Sequence, residues 1–143
     1  MQTIQEITLE LWNNLNCARS TACGILRYYG FEQECNTLSK ALIPFGGGIG
    51  ERSICGSVTG ALSALSVVYT KKGYKEDKVA EIAKSFKGKF SCEFNTLYCR
   101  EILKEFTFPD GTIDANNPKR KEKCTKTVLH AVTVAKTLID SIK

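Results

Sequence analysis

Apolar side chains recur every three or four residues along most of this chain, the period of a helix that buries one face. Ile4, Ile7, Leu11 and Leu15 predict a first amphipathic helix. Asn13, Asn14 and Asn16 then cluster, and Asn is a favoured N-cap, so a second helix is expected from there to Tyr29, with Ala18, Ala22, Ile25 and Tyr29 on one stripe. Gly30 stands where a helix stop belongs. A short helix is expected over residues 34–42, ended by Pro44. After a glycine-rich loop, residues 55–69 read as a buried helix with the stripe Cys55, Val58, Leu62, Leu65, Tyr69 and a second stripe of small residues, Gly56, Gly60 and Ala64. Gly73 breaks the chain, and residues 76–87 are amphipathic through Val79, Ile82, Ala83 and Phe86. Asn95 or Thr96 caps a further expected helix through Cys99, Ile102, Leu103 and Phe106. Turn signals at 109–111 and 116–118 precede the cleanest period, Cys124, Val128, Ala131, Ala135, Leu138, Ile142. No period-two strand, internal repeat or low-complexity tract appears. The expected fold is all-α, one compact bundle of five or six helices forming a single domain over residues 1–143.

Composition narrows the class. Of 143 residues 43% are hydrophobic and 24% charged, which excludes a disordered or collagen-like chain. The most apolar stretch, residues 54–69, is interrupted by two glycines and three serines and falls short of the ~20 apolar residues a spanning helix needs, so no membrane insertion is expected. The start MQTIQEITLELWNN lacks the basic-then-apolar order of a secretory signal, which makes a cytoplasmic, reducing location the expectation. A net charge of +5 is too small to indicate nucleic acid, and the basic run Lys119–Lys123 has no interleaved aromatics and reads as a solvated helix start. The stripe Gly56, Gly60, Ala64 permits a close helix approach, within the chain or across a two-fold axis, and a homodimer is expected on that ground.

The chemistry lies in the cysteines. There are seven, an odd number, against one histidine. Cys17 follows the candidate cap Asn16, Cys55 follows the glycine loop, Cys99 comes just after Asn95 and Thr96, and Cys124 opens the last expected helix. Helix N-termini stabilise thiolates, the form that binds metal or attacks a disulfide. Cys55, Cys99 and Cys124 also continue apolar stripes, so four inward thiolates on four segments are expected to converge on one site. The plainer reading, that a free cysteine is a small buried hydrophobe, holds for Cys23, Cys35 and Cys92, which are off the shared faces. No CxxC is present, so neither a thioredoxin-type pair nor a zinc-ribbon spacing exists. His130 is expected at the surface or the rim. The loop carrying Gly47, Gly48 and Gly50 lacks the Gly-Lys-Ser/Thr ending of a P-loop and reads as backbone that lets a cofactor approach ahead of Cys55. No catalytic group is identifiable.

The run Asn16–Cys17–Ala18, then Phe45–Gly46–Gly47–Gly48–Ile49–Gly50, then Cys55–Gly56–Ser57–Val58–Thr59–Gly60, then Cys99 with Arg100–Glu101–Ile102–Leu103, then Cys124, resembles the C_GCAxxG_C_C family of redox-active proteins across nearly the whole chain. The resemblance implies a small cytoplasmic all-α protein whose signature cysteines are Cys17, Cys55, Cys99 and Cys124. The non-haem part of split-Soret cytochromes is similar and is associated with an iron–sulfur centre. Ser57 stands where the family usually has Ala, Cys23, Cys35 and Cys92 are additional, and the absence of CxxCH implies no covalent haem. The expected function is a redox protein whose metal ligands Cys17, Cys55, Cys99 and Cys124 bind an iron–sulfur or related centre for electron transfer with a partner protein. A metal-free thiol–disulfide oxidoreductase and a structural-zinc or binding module are the alternatives.

Overall fold

The first helix starts where a hydroxyl meets a free amide: the Glu6 N–H donates to Thr3 Oγ1 at 3.1 Å and α1 runs over Ile4–Trp12. Asn16 repeats the device, its side chain accepting the Arg19 N–H at 2.8 Å to open α2, Cys17–Tyr28. In this computed structural model, which describes residues 1–142, α2 is the central helix, and eight of its residues are buried. α3, Glu32–Ala41, lies against it. A short 3-10 turn, Ile43–Phe45, and a wide turn, Gly48–Arg52, lead to α4, Gly56–Lys71. α5 spans Glu76–Phe94, α6 is the single turn Cys99–Ile102, and α7 spans Pro118–Asp140.

The closest approaches are made by glycines. A Cβ on Gly60 would stand 2.3 Å from the Ala18 carbonyl oxygen, and one on Gly24 would stand 2.1 Å from Thr8 Oγ1. Helix α4 therefore presses on α2 backbone to backbone and α1 presses on it through the Thr8 side chain, and α4 makes the most extensive contact with it. The expected small-residue stripe is thus used inside the chain, where Gly56, Gly60 and Ala64 are all buried, and it carries no argument for a dimer. Along α5, Phe86 and Phe90 are fully buried, each contributing ~1.5–3 kcal/mol by leaving water. The buried Tyr69 hydroxyl donates to the Leu138 carbonyl at 2.9 Å and fixes α4 to α7.

The bundle is all-α, with seven α-helical segments among the described residues rather than five or six. The helix expected over 95–106 breaks into α6 and a 3-10 turn at Lys104–Phe106. α5 runs on to Phe94, through Gly88, until Asn95 adopts φ 63° and stops it. The last helix begins at Pro118, not at Cys124, because Asn117 caps it by accepting the Lys119 N–H and Pro118 supplies the pre-set φ of a first helical residue. Among the described residues, extended pairing is limited to two isolated bridges, Ile54 with Tyr98 and Thr107 with Ile113. No helix is long and apolar enough to cross a membrane among those residues.

Candidate functional site

The bridge between Ile54 and Tyr98 positions two of the cysteines. The Cys55 N–H donates to the Leu97 carbonyl at 2.8 Å and the Cys99 N–H donates to the Ser53 carbonyl at 2.7 Å. Cys55 is thereby fixed as N-cap of α4 and Cys99 as first residue of α6. Cys17 comes in as the first residue of α2, directly behind Gly56, where an added Cβ would lie 2.2 Å from its Sγ. Cys124 reaches the same place from well inside α7. The four cysteines line one cavity of about 180 Å³, shared with Trp12, Gly47, Arg52, Arg120 and Thr127. Cys55 and Cys99 are each 7% exposed, and Cys17 and Cys124 are half-buried.

Burial outweighs the helix ends. Loss of water pushes the Cys17 thiol up to about 12, the neighbouring Cys55 adds to this, and a hydrogen bond from the Gly47 N–H opposes it. Burial likewise raises Cys55, against hydrogen bonds from Ser57 and the Thr127 hydroxyl. Burial raises Cys124 too, opposed by the Arg120 guanidinium, whose Nη1 lies 3.6 Å from the sulfur. The expectation of lowered thiol pKa values at helix N-termini is overturned for Cys17 and Cys55, since dehydrating a sulfur anion costs more than half a helix charge returns. For Cys124 the helix start is not there at all. A folded-state pKa raised from 9.0 to about 12 means that unfolded Cys17 loses its proton first as pH climbs. The metal-free fold should therefore be fully stable below about pH 9 and lose stability progressively above it. Thermal midpoints of metal-free protein that stay level to about pH 11 would contradict this.

The glycine loop is wound left-handed. Gly47, Gly48, Ile49 and Gly50 have φ of 63°, 62°, 62° and 68°, and Arg52 has 56°. Ile49 is β-branched, so its backbone is strained, at a cost of ~1–3 kcal/mol held by the surrounding contacts. Of the three glycines expected beside a cofactor, only Gly47 lines the cavity. Gly48 is a packing residue, for a Cβ there would lie 2.5 Å from the Ser53 nitrogen and 3.0 Å from Cys99 Cβ. Gly50 is exposed, with nothing within 4 Å of an added Cβ. Asn16 anchors the approach to this loop, its Nδ2 donating to the Ile43 carbonyl at 2.9 Å and the Leu42 carbonyl at 3.3 Å. Asn16→Ala removes both ties and the α2 cap, and should cost ~1–2 kcal/mol in denaturant unfolding.

Arg120 and Trp12 were not among the residues expected at the site. Arg120 precedes Cys124 by four residues, a helical neighbour, and the spacing carries meaning only if the helix begins at Pro118; the Asn117–Pro118 pair is the signal for that start. Trp12 donates its indole N–H to Thr125 Oγ1 at 2.8 Å, which ties the end of α1 to α7 beside the cavity. Cys23 and Cys35 are buried elsewhere and Cys92 is exposed on α5. His130 lies against Phe94 of α5, ring centroids 5.5 Å apart, and takes no part in the cavity.

The family model described as "Putative redox-active protein (C_GCAxxG_C_C)" matches residues 15–138 of the chain. Neither a curated protein nor a solved structure matches it.

Proposed function

From the premise that the chain belongs to the C_GCAxxG_C_C family of redox-active proteins, we propose that Cys17, Cys55, Cys99 and Cys124 hold an iron–sulfur centre that serves electron transfer to a partner protein. The observation that carries this reading is the convergence of four thiols, from four separate segments, on one cavity of about 180 Å³. Soft thiolate donors in a set of four are the ligand chemistry of iron–sulfur clusters. Such a centre supplies one-electron exchange when bound.

The rest of the cavity suits that charge and chemistry. Arg52 and Arg120 bring positive charge to the site. The Gly47 N–H faces the Cys17 sulfur, and Ser57 with Thr127 faces the Cys55 sulfur. Hydrogen bonds of this kind, with burial, tune the potential of a thiolate-bound centre. Ser57 Oγ and Thr127 Oγ1 are 2.9 Å apart, and Thr127 donates to the Cys124 carbonyl at 2.7 Å, which fixes the hydroxyl pair between α4 and α7. With Cys55 as thiolate the Ser57 hydroxyl turns its proton from Thr127 to that sulfur, so Ser57→Ala should move the potential of the loaded protein to more negative values, read by redox titration; an unchanged potential would exclude tuning by this hydroxyl.

One observation favours a metal centre over a thiol–disulfide oxidoreductase at this cavity. A thiol–disulfide oxidoreductase needs an available thiolate, and burial makes thiolates of Cys17, Cys55 and Cys124 unfavourable without a compensating cation. Among the described residues no group of three or more His, Cys, Asp or Glu side chains is placed to hold a metal ion, so loading must draw the cavity's cysteines closer together.

The test is anaerobic reconstitution with ferrous iron and sulfide, followed by desalting. Retained iron and sulfide with a brown visible spectrum supports the reading. Colourless protein with reversibly paired thiols in the cavity, or zinc bound in preference to iron, overturns it. Trp12 is the chain's sole tryptophan and lines the cavity, so its fluorescence should fall in step with loading. Emission that ignores bound iron would place the iron elsewhere.

A further inference from the structure

Among the longer helices, α3 buries the fewest side chains and is held largely by polar ties, Arg19 Nε donating to the Ser39 carbonyl at 2.6 Å and Lys71 pairing with Glu34 at 3.7 Å. Only Cys35 is buried within Glu32–Ala41, and no side chain caps the helix start. That one buried side chain meets a second thiol. Cys23 of α2 donates its Sγ–H to the Cys35 carbonyl oxygen at 3.5 Å, and burial together with the neighbouring Cys35 pushes its thiol up to about 12. Both cysteines are 1% exposed and neither lines the four-cysteine cavity. Arg27, one turn beyond Cys23, covers the pair. Its Nη2 lies 4.0 Å from Cys35 Sγ, while its Nε pairs with the exposed carboxylate of Glu32 at 3.3 Å.

We propose that Cys23 and Cys35 are a second redox site, a dithiol that a low-molecular-weight disulfide such as oxidised glutathione converts to a disulfide stapling α3 onto α2. The reactants are two protein thiols and one small disulfide, RSSR. In the opened state Cys35 gives up its proton and its sulfur attacks RSSR. The RS–SR bond breaks, a mixed disulfide forms on Cys35, and the departing RS⁻ takes up the proton that Cys35 released. Cys23 then loses its proton and its sulfur attacks Cys35 Sγ, expelling the second RS⁻, which is protonated in turn. Two electrons pass from the protein to RSSR, which leaves as two RSH. Access comes from opening of α3, in which only Cys35 is buried, and the same opening returns to Cys23 the water whose loss pushes its thiol up to about 12 in the closed fold. The consequence reaches the other site through the chain: α3 continues through Leu42 and Ile43, the residues held by Asn16, into the loop that presents Gly47 to Cys17. The staple fixes the element that leads into that loop.

Tryptic mapping tests this, because cleavage after Arg19, Arg27 and Lys40 puts Cys23 in peptide 20–27 and Cys35 in peptide 28–40, with no other cysteine in either. The full-length chain, reduced and then exposed without denaturant to oxidised glutathione, is quenched with an alkylating agent and digested. The expected product is the two peptides joined with the loss of two hydrogens. The joined product should form in Cys92→Ser and be absent from Cys23→Ser and Cys35→Ser. Native trypsin cleavage after Lys40 should also be slower in the oxidised protein. Recovery of both peptides with alkylated thiols, or as two separate glutathione adducts, overturns the proposal. So does joining that appears only after denaturation. None of these readouts depends on iron, so the outcome stands apart from that of the four-cysteine centre.

Discussion

Single replacement of Cys17, Cys55, Cys99 or Cys124 by Ser is expected to remove most of the iron that the reconstituted protein retains, by tenfold or more, together with its visible absorption. A serine hydroxyl is a harder, far less acidic donor than a thiol, so the variant offers three soft ligands where the wild type has four. The remaining thiols stay buried, and burial already disfavours thiolates at Cys17, Cys55 and Cys124. Loss of one ligand should therefore weaken the others. Cys92→Ser, on the exposed face of α5, is the control and should load fully, as should Cys23→Ser and Cys35→Ser, which lie outside the cavity. Far-ultraviolet circular dichroism separates loss of ligand from loss of fold. Full iron loading in all four signature variants would sink the assignment of these residues as ligands.

Gly60→Ala should destabilise the fold by ~1–3 kcal/mol, although Ala is the better helix former by up to ~1 kcal/mol. The added methyl would stand 2.3 Å from the Ala18 carbonyl oxygen and 3.0 Å from Ala18 Cα. Those are backbone atoms of the central helix, which cannot rotate aside, so α4 must move off α2. Gly56→Ala adds a second harm, because its methyl would occupy the place of Cys17 Sγ, 2.2 Å away. Gly88→Ala is the opposite case. Nothing lies within 4 Å of that position on α5, and the substitution should stabilise by ~0.5–1 kcal/mol. Denaturant midpoints of the three variants check the set; a Gly60→Ala protein as stable as wild type would show that α2 and α4 do not approach so closely.

The helical class was legible because it rests on local patterns. Ile4, Val128 and Leu138 are buried as the three- and four-residue period requires. Asn16 caps α2 as its place in the Asn cluster suggested, with a side chain that acts within three residues. That Cys17, Cys55, Cys99 and Cys124 line one cavity agrees with their place in the order of motifs and, for Cys55, Cys99 and Cys124, with the apolar stripes they continue. What the sequence left undetermined depends on contacts between distant segments. The small-residue stripe Gly56, Gly60, Ala64 marked a close approach without naming its partner, and only the packed bundle identifies the Ala18 backbone. Each helix start suggested an acidic thiol, yet the net result at Cys17 and Cys55 was decided by how much water the other segments exclude. Arg120 became part of the cavity because α7 begins early enough to set it one turn before Cys124, and Cys35 meets Cys23 because α3 folds back on α2. Periodicity and capping are properties of neighbours in the chain. Desolvation and side-chain pairing belong to residues that only the tertiary fold makes neighbours.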